Sequence, residues 1–277
     1  ITGDKKNIDQ FMGNTNFEFI EHDIQESIYF DEKLDHIIHL ASCASPKAYS
    51  QYPINTLKSG SIGTINALGI AKKHNAKFFL ASTSEVYGDP QVSPQDENYW
   101  GNVNTLGPRS MYDESKRFAE SATKAYMTTH GIHANIARIF NTYGPNMQID
   151  DGRVVTNFIY QAIKSEDITI YGTGDQTRSF SFIEDTLEGL LRVINYKKSD
   201  VFNIGSENEI TVKHLAETII SLTNSNSKIV YLEIPEDDPK QRKPDLTKAK
   251  KQLNYEPTYS LEEGLKITID WIIKTYK

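Results

Sequence analysis

The chain has 277 residues, of which 38% are hydrophobic and 24% charged, ordinary usage for a globular protein of one large or two modest domains. Its formal net charge of −7 argues against nucleic acid or an anionic membrane as a partner. The single cysteine, Cys43, excludes an internal disulfide, and the scattered histidines form no metal-site pattern. Because the sequence also lacks an apolar run long enough for a membrane span, we expect a cytoplasmic protein without a bound metal.

The first half of the chain alternates between strand and helix patterns. Strands are predicted at 16–23, 35–41, 76–82 and 133–140, and helices at 53–74 and 111–130. This alternation indicates βαβ units and a parallel sheet, in which a ligand lies beyond the carboxyl ends of the strands. Polar residues stand at those ends, namely Asp23, Ser42, the segment 82–85, Asn141 and Thr142. We therefore expect a functional site along this edge.

The second half has a less regular pattern. Helices are predicted at 154–164, 186–195, 212–222 and 261–276, strands at 168–171, 179–183 and 201–204, and a proline- and charge-rich loop at 235–244. We predict an α/β fold in which a Rossmann-like, doubly wound parallel sheet carries a smaller, interleaved α/β substrate lobe. The cofactor domain would comprise 1–145 plus about 176–206, and the lobe about 146–175 plus 207–277.

The glycine fingerprint Gly-x-Gly-x-x-Gly, which opens a dinucleotide-binding fold, does not occur in the sequence. Gly172 and Gly174 lack the third glycine and lie late in the chain. We therefore expect that the chain is a piece of a longer fold and that it lacks the first strand, the glycine loop and the second strand.

Tyr112 and Lys116 are candidate catalytic residues because residues four apart lie on one face of a helix. A nearby ammonium favours the phenolate of a tyrosine, which then accepts a proton from an alcohol. The spacing alone recurs by chance and is usually a solvated helix face. Here it follows a polar cluster, 82–85, at the end of a predicted strand. The two features together favour catalysis.

Longer motifs extend over nearly the whole chain. They lie at 39–46, 81–90, 107–116, 137–145, 151–155, 237–239 and 242–245. Jointly they resemble extended short-chain dehydrogenase/reductase enzymes that act on nucleotide sugars, and among them the UDP-glucuronate decarboxylases, also called UDP-xylose synthases. Related 4,6-dehydratases carry an Asp-Glu pair where this chain has Ser84-Glu85. Loss of that acid, which expels water in a dehydratase, favours the decarboxylase.

The resemblance implies NAD as cofactor, a UDP-sugar as substrate and a homodimer. The sugar 4-hydroxyl would be oxidised, carbon dioxide lost from the resulting β-keto acid, and the ketone reduced again. The dimer would form through the helix at 111–130, with the small residues Ala119, Ala122 and Ala125, and through the helix near 64–73. A 4,6-dehydratase or 4-epimerase on the same fold remains an alternative, as does a catalytically silent partner subunit without the glycine loop.

The resemblance also implies the site residues. The catalytic group is Tyr112, Lys116, Thr83, Ser84, Glu85 and Arg178. The NAD-binding group is Thr2, Gly3, Asp23, Ile24, Leu40, Ser42, Ala81, Tyr112, Lys116, Thr142 and Arg153. The substrate-binding group is Lys58, Asn141, Val155, Asn157, Tyr171, Arg178 and Arg242.

Simpler interpretations of three of these residues stay open. Glu85 could be a strand-end carboxylate paired with a cation, Arg178 a surface residue, and Tyr171 an aromatic on an edge strand. In the functional interpretation, Glu85 and Arg178 flank the carboxylate of the sugar. Tyr171 would stack on the uracil and Arg242 would pair with the pyrophosphate.

Overall fold

A computed structural model describes residues 3–234 and 236–276. The strands, in chain order, are β1 (His36–His39), β2 (Lys77–Thr83), β3 (Ala134–Ile139), β4 (Thr142–Tyr143), β5 (Ile168–Tyr171), β6 (Thr177–Ser179), β7 (Ser181–Phe182), β8 (Val201–Ile204), β9 (Glu209–Thr211), β10 (Ile229–Leu232) and β11 (Gln241–Arg242). The α-helices are α1 (Pro46–Gln51), α2 (Pro53–Lys58), α3 (Thr64–His74), α4 (Ser110–His130), α5 (Val154–Ile163), α6 (Ile183–Ile194), α7 (Val212–Thr223), α8 (Thr247–Leu253) and α9 (Leu261–Tyr276).

Short helical segments of other types complete the chain. A π-helix (Ser59–Gly63) joins α2 to α3, and 3₁₀ turns span Lys5–Phe11 and Ser84–Tyr87. Within the described residues, none of the helices is both long and apolar enough to cross a bilayer.

A four-stranded parallel sheet in the order β1-β2-β3-β8 forms the centre of the fold. Side chains alternate between its faces, because successive residues of a strand point in opposite directions. Phe78 and Leu80 pack against α3 and α4 on one face. Phe79 and Ala81 pack on the other face in a cluster that includes residues of α6 and α8. Helices on both faces confirm the predicted doubly wound α/β architecture.

A second hydrophobic core lies among α5, α7 and α9, and strands β5 and β7 also contribute to it. Phe158, Leu215 and Leu265 are buried in this core. Smaller sheets accompany it, in which β5 pairs with β10 and β6 pairs with β9 and β11. These segments alternate along the chain with those of the central sheet. The division into two domains at the predicted boundaries stays a prediction.

The predicted strand at 16–23 is wrong. These residues lie in the described part of the chain and form turns and extended backbone. The backbone N–H of Asn16 bonds to the nearby side chain of Asn14, and not to a neighbouring strand. A strand needs a neighbour that satisfies its N–H and C=O groups, and β1 pairs with β2 alone among the described strands. The alternating pattern here reflects one half-buried residue, Phe17, in an otherwise exposed segment.

Other predicted elements needed smaller corrections. The predicted helix at 53–74 is interrupted by the π-helix, and the predicted strand at 179–183 is divided into β6 and β7 at Phe180. The short elements α1, α8, β9, β10 and β11 were not predicted. Each has at most seven residues, too few for a periodic pattern to identify it.

Candidate active site

A cavity of about 920 Å³ opens beyond the carboxyl ends of β2 and β3. Most of the predicted site residues line it, namely Leu40, Ser42, Ala81, Thr83, Ser84, Glu85, Tyr112, Lys116, Asn141, Thr142, Arg153, Val155, Tyr171, Arg178 and Arg242. Residues from seven predicted motifs, separated by up to about two hundred positions, therefore meet at one place, as expected for a parallel sheet.

Other predicted site residues lie elsewhere. In the described part of the chain, Gly3, Asp23, Ile24, Lys58 and Asn157 do not line this cavity. Asp23 accepts a hydrogen bond from the Gln25 backbone in an exposed turn. Ile24 packs instead beneath the π-helix, next to Gly63.

Thr2 lies outside the described residues. The assignment of all six of these residues to binding stays a prediction.

Strand β2 brings polar side chains directly into the cavity. The strand ends at Thr83, whose Oγ1 accepts a hydrogen bond from the Glu85 backbone N–H at 3.2 Å. This cap starts the 3₁₀ turn that carries Ser84 and Glu85. Ser84 is buried there, at the position that corresponds to the Asp of the related 4,6-dehydratases.

Tyr112 and Lys116 lie one turn apart on α4, and both are buried. The Lys116 Nζ donates a hydrogen bond of 2.8 Å to the Ala81 carbonyl and lies 6.0 Å from the Tyr112 ring centroid. Burial lowers the pKa of Lys116 to about 8, although Glu120 opposes this effect. Burial raises the pKa of Tyr112 above its usual value, against a hydrogen bond with Thr83. In the protein alone, burial therefore opposes the phenolate, and the expectation that Lys116 favours it stays a prediction.

A buried ion pair behind this pair of residues ties α4 to the sheet. The Arg138 Nη2 of β3 contacts Glu120 of α4 at 2.7 Å, and the Ser82 hydroxyl of β2 donates to the same carboxylate at 2.6 Å. Arg138 also donates to the Tyr87 hydroxyl at 2.9 Å. These contacts hold the helix that carries Tyr112 at a fixed height above the strands.

Tyr49 also lines the cavity and packs against Tyr112. Its ring stacks on Tyr112 at a centroid distance of 5.3 Å and an angle of 13°. Burial raises the pKa of Tyr49 to about 12, so this phenol is neutral at physiological pH. Ser45 caps the helix that carries Tyr49 by accepting a hydrogen bond from the Ala48 N–H at 3.2 Å.

Glu85 is held between two arginines. Its Oε2 accepts a 2.7 Å hydrogen bond from Arg109 Nη2, and its Oε1 pairs with Arg242 Nη1. Arg242 is almost fully buried and also donates to the Gly88 carbonyl at 2.6 Å. Burial alone would raise the pKa of Glu85, but the charges of Arg242 and Arg109 outweigh it and lower the pKa to about 2. The carboxylate is therefore ionised at any physiological pH.

Arg178 belongs to the same cluster and is not a surface residue, since its side chain is 11% exposed. Its Nη2 donates to Asp238 at 2.9 Å, and Arg109 lies 3.7 Å from the other oxygen of that carboxylate. We call Glu85, Arg109, Arg178, Asp238 and Arg242 the arginine cluster. Its three guanidinium groups and two carboxylates leave one net positive charge, and all five side chains line the cavity. The carboxyl group of the nearby buried Asp113 does not fully offset this charge, because burial raises its pKa to about 7. Such a cluster is suited to bind one anionic group.

Three residues of the site were missed by the sequence analysis. Asp238 lies within the motif at 237–239 but was given no role, and Tyr49 lies in a six-residue helix. Neither a loop nor so short a helix has a period that marks an inward face. Arg109 lies three residues before Tyr112, and this spacing could have placed it on the same helix end. Tyr171 lines the cavity from β5 and is half exposed, so both of its interpretations stay open.

Comparisons with known proteins show which proteins this chain is similar to. The family model described as GDP-mannose 4,6 dehydratase matches residues 2–268. UDP-glucuronic acid decarboxylase 1 of Xenopus tropicalis is 49% identical over 274 residues, which are 99% of this chain and 65% of that protein. UDP-glucuronic acid decarboxylase 5 of Arabidopsis thaliana is 50% identical over 265 residues, which are 96% of this chain and 77% of that protein. The chain thus spans just under two thirds of the length of the frog relative.

A solved structure has the same fold. UDP-glucuronic acid 4-epimerase of Bacillus cereus, in complex with UDP-glucuronic acid and NAD, superposes with a TM-score of 0.87 at 26% identity. The match covers 98% of this chain and 86% of the epimerase.

Proposed function

Since the chain belongs to the GDP-mannose 4,6 dehydratase family and, within it, to the UDP-glucuronic acid decarboxylases, we propose that the protein converts UDP-glucuronate to UDP-xylose and carbon dioxide with NAD as cofactor. The observation that carries this proposal is the arginine cluster beside Tyr112. Its surplus positive charge matches the single carboxylate that distinguishes UDP-glucuronate from UDP-glucose.

The residues at the carboxyl edge of the sheet fit a dinucleotide. The Ser42 Oγ, just after β1, is buried and has no hydrogen-bond partner among the described residues. Lys116 uses one of its three donors on the Ala81 carbonyl and faces the same cavity. We propose that NAD would be held by Leu40, Ser42, Ala81, Lys116, Thr142 and Arg153.

Bound NAD would supply reversible hydride transfer at the sugar C4, so that the net reaction is redox-neutral. Tyr112 takes the proton of the 4-hydroxyl. It can do so only after it has lost its own proton, and the hydrogen bond with Thr83 and the charge of Arg153 lower the pKa of the phenol against the effect of burial. The Lys116 ammonium, 6.0 Å from the ring centroid, would stabilise the phenolate further. Oxidation at C4 places a ketone beta to the carboxylate.

Carbon dioxide then leaves from C5, and the electron pair of the broken bond passes to the C4 oxygen as an enolate. Hydrogen bonds from Tyr112 and Thr83 stabilise this charge. A proton delivered through water then adds at C5 and restores the ketone, which is reduced to the pentose. Arg178 binds the carboxylate before it leaves. Ser84 supplies no acid that could expel a hydroxyl group, which separates this reaction from dehydration.

We also propose a homodimer that forms through α2, α3 and α4. The large side chains of Ile54, Leu57, Ile65 and Phe118 are exposed on these neighbouring helices. Ile62 of the π-helix is exposed as well, and the spacing of these side chains along α2, the π-helix and α3 gives an apolar stripe that a second copy would cover. Light scattering at micromolar concentration tests this proposal, and a monomer would contradict it.

Two of the small residues predicted to serve this interface have another role. Ala119 and Ala122 are buried inside the chain, where they pack against α3. They allow α4 to approach α3 within one copy. Ala125 is exposed. The single cysteine is buried and unpaired, in keeping with a reducing compartment, and we propose the cytoplasm as the location.

The direct test is incubation of the full-length protein with UDP-glucuronate and NAD, with products identified by mass. We expect UDP-xylose and carbon dioxide, with Tyr112→Phe as the inactive control. Conversion of UDP-glucose to a 4-keto-6-deoxy sugar, or of UDP-glucuronate to its 4-epimer, would instead support the dehydratase or epimerase alternative. A protein without any turnover would support the silent partner.

A further inference from the structure

The π-helix at Ser59–Gly63 is an unusual element beside α4. It interrupts a helix that otherwise runs from Pro53 to His74, and the residues on both sides of it keep right-handed helical backbone. Such π-helical turns are rare and occur often near functional sites. Gly60 and Gly63 are both buried within it.

Gly60 permits a very close approach to α4. A Cβ atom at this position would lie 2.6 Å from the Ser115 Cβ, 2.7 Å from its Oγ and 3.0 Å from its backbone oxygen. Ser115 is buried, stands between Tyr112 and Lys116, and donates a 2.8 Å hydrogen bond to the Tyr112 carbonyl. A side chain at residue 60 would therefore push on the turn of α4 that carries both catalytic candidates.

Both sides of this contact are anchored to the sheet. The Thr64 hydroxyl donates to the Gly60 carbonyl at 2.7 Å, so it must accept the 3.0 Å hydrogen bond that it shares with the Nε2 of His39 on β1. On the other side, Lys116 donates to the Ala81 carbonyl of β2. The two helices cannot separate at this point unless one of these buried hydrogen bonds to the sheet breaks.

We propose that Gly60 and Ser115 are positioning residues: their size-matched contact sets the height of the catalytic turn of α4 and so aligns Tyr112 and Lys116 with the sugar. This role rests on the proposed function. The sizes of the two residues depend on each other, because residue 60 can carry a side chain at this contact only if residue 115 has none, and the reverse also holds. A misplacement of about 1 Å at a reacting group can cost roughly a hundredfold in rate.

The experiment is a double-mutant cycle of Gly60→Ala and Ser115→Gly in the full-length protein, with UDP-glucuronate turnover and UDP binding measured for each variant. We expect Gly60→Ala to lower kcat roughly tenfold to a hundredfold, while UDP affinity stays at the wild-type value. Ser115→Gly removes both side-chain atoms that the new methyl group meets, so the double variant should recover most of the lost kcat.

Gly131→Ala is the matched control. Gly131 follows the end of α4 that is far from Tyr112, and a Cβ there would meet nothing within 4 Å, so this variant should keep wild-type kcat even though its positive φ makes the substitution cost some stability. Wild-type kcat in Gly60→Ala, or a double variant as slow as Gly60→Ala, would overturn the inference while the proposed function stands. A wild type without decarboxylation would overturn the proposed function and this role with it. If Gly60→Ala alone fails to fold, an active double variant supports the contact and an inactive one overturns it.

Discussion

Removal of the charge on Glu85 tests whether the arginine cluster is held together by a buried ion network. The substitution Glu85→Gln keeps the shape of the side chain but replaces one oxygen by an NH₂ group. Arg109 and Arg242 each donate to a different oxygen of Glu85, so one guanidinium would then face a donor instead of an acceptor. The cluster would also hold three positive charges against one negative charge.

The expected loss of stability is large because the network is buried. Removal of one partner from a buried ion pair costs about 3–5 kcal/mol, since the remaining charge is left without a counterion. The pKa of Glu85, about 2, lies below its unfolded value. Its stabilising contribution is therefore present above the unfolded pKa and is lost as the pH falls toward about 2. Wild type and Glu85→Gln should converge in stability in acid.

The assay is urea denaturation followed by circular dichroism at pH 7, with the free energy of unfolding compared at unchanged m-value. The matched control is Glu188→Gln, which removes a carboxylate from the half-exposed pair with Arg192 on α6 (2.7 Å). That pair should contribute about 0.5 kcal/mol or less. If Glu85→Gln and Glu188→Gln changed the free energy of unfolding equally, the argument from buried charge would be refuted.

Three further predictions concern catalysis and pH. Tyr112→Phe should lower kcat by about 10²–10⁴-fold because it removes the proton acceptor, and calorimetry should find UDP binding unchanged; near-normal kcat would contradict the assignment. Arg178→Ala should lower kcat/KM for UDP-glucuronate far more than it lowers the affinity for UDP, which has no carboxylate; equal losses would place Arg178 elsewhere. Burial, and next the charge of Lys116, lowers the pKa of His39 to about 4. Stability should therefore fall as the pH drops from about 6.5 to 4, and His39→Gln should flatten this part of the Tm profile; an unchanged profile in the variant would contradict the reasoning.

The central sheet was predictable because its middle strands, β2 and β3, are largely apolar and buried on both faces. The segment around Phe79 and the segment around Ala137 have this character and end in polar residues, which identified the edge of the site. The contacts that define the site were not predictable. The pairing of Arg242 with Glu85 spans 157 positions, and it depends on a loop and a two-residue strand that have no periodic pattern. Hydrophobic periodicity reports burial, but it does not report which charges meet.

The pKa of Tyr112 also could not be read from its spacing to Lys116. The spacing indicates a nearby cation, whereas the direction of the shift depends on how much water the fold removes from the phenol. The same limit applies to the π-helix, since nothing in a glycine reveals which side chain of another helix lies against it.

The single surplus charge of the arginine cluster has a consequence for the end of the reaction cycle. In the proposed reaction the substrate carboxylate neutralises the cluster, and decarboxylation removes that carboxylate as an uncharged gas. The pentose that remains offers Arg178 no counterion, so the cluster regains its surplus charge while the product is still bound. The product should therefore bind less tightly than the substrate, because it lacks the ion pair that the substrate carboxylate forms. Loss of the carboxylate from C5 should thus favour product release, and UDP-xylose should compete only weakly with UDP-glucuronate for the site.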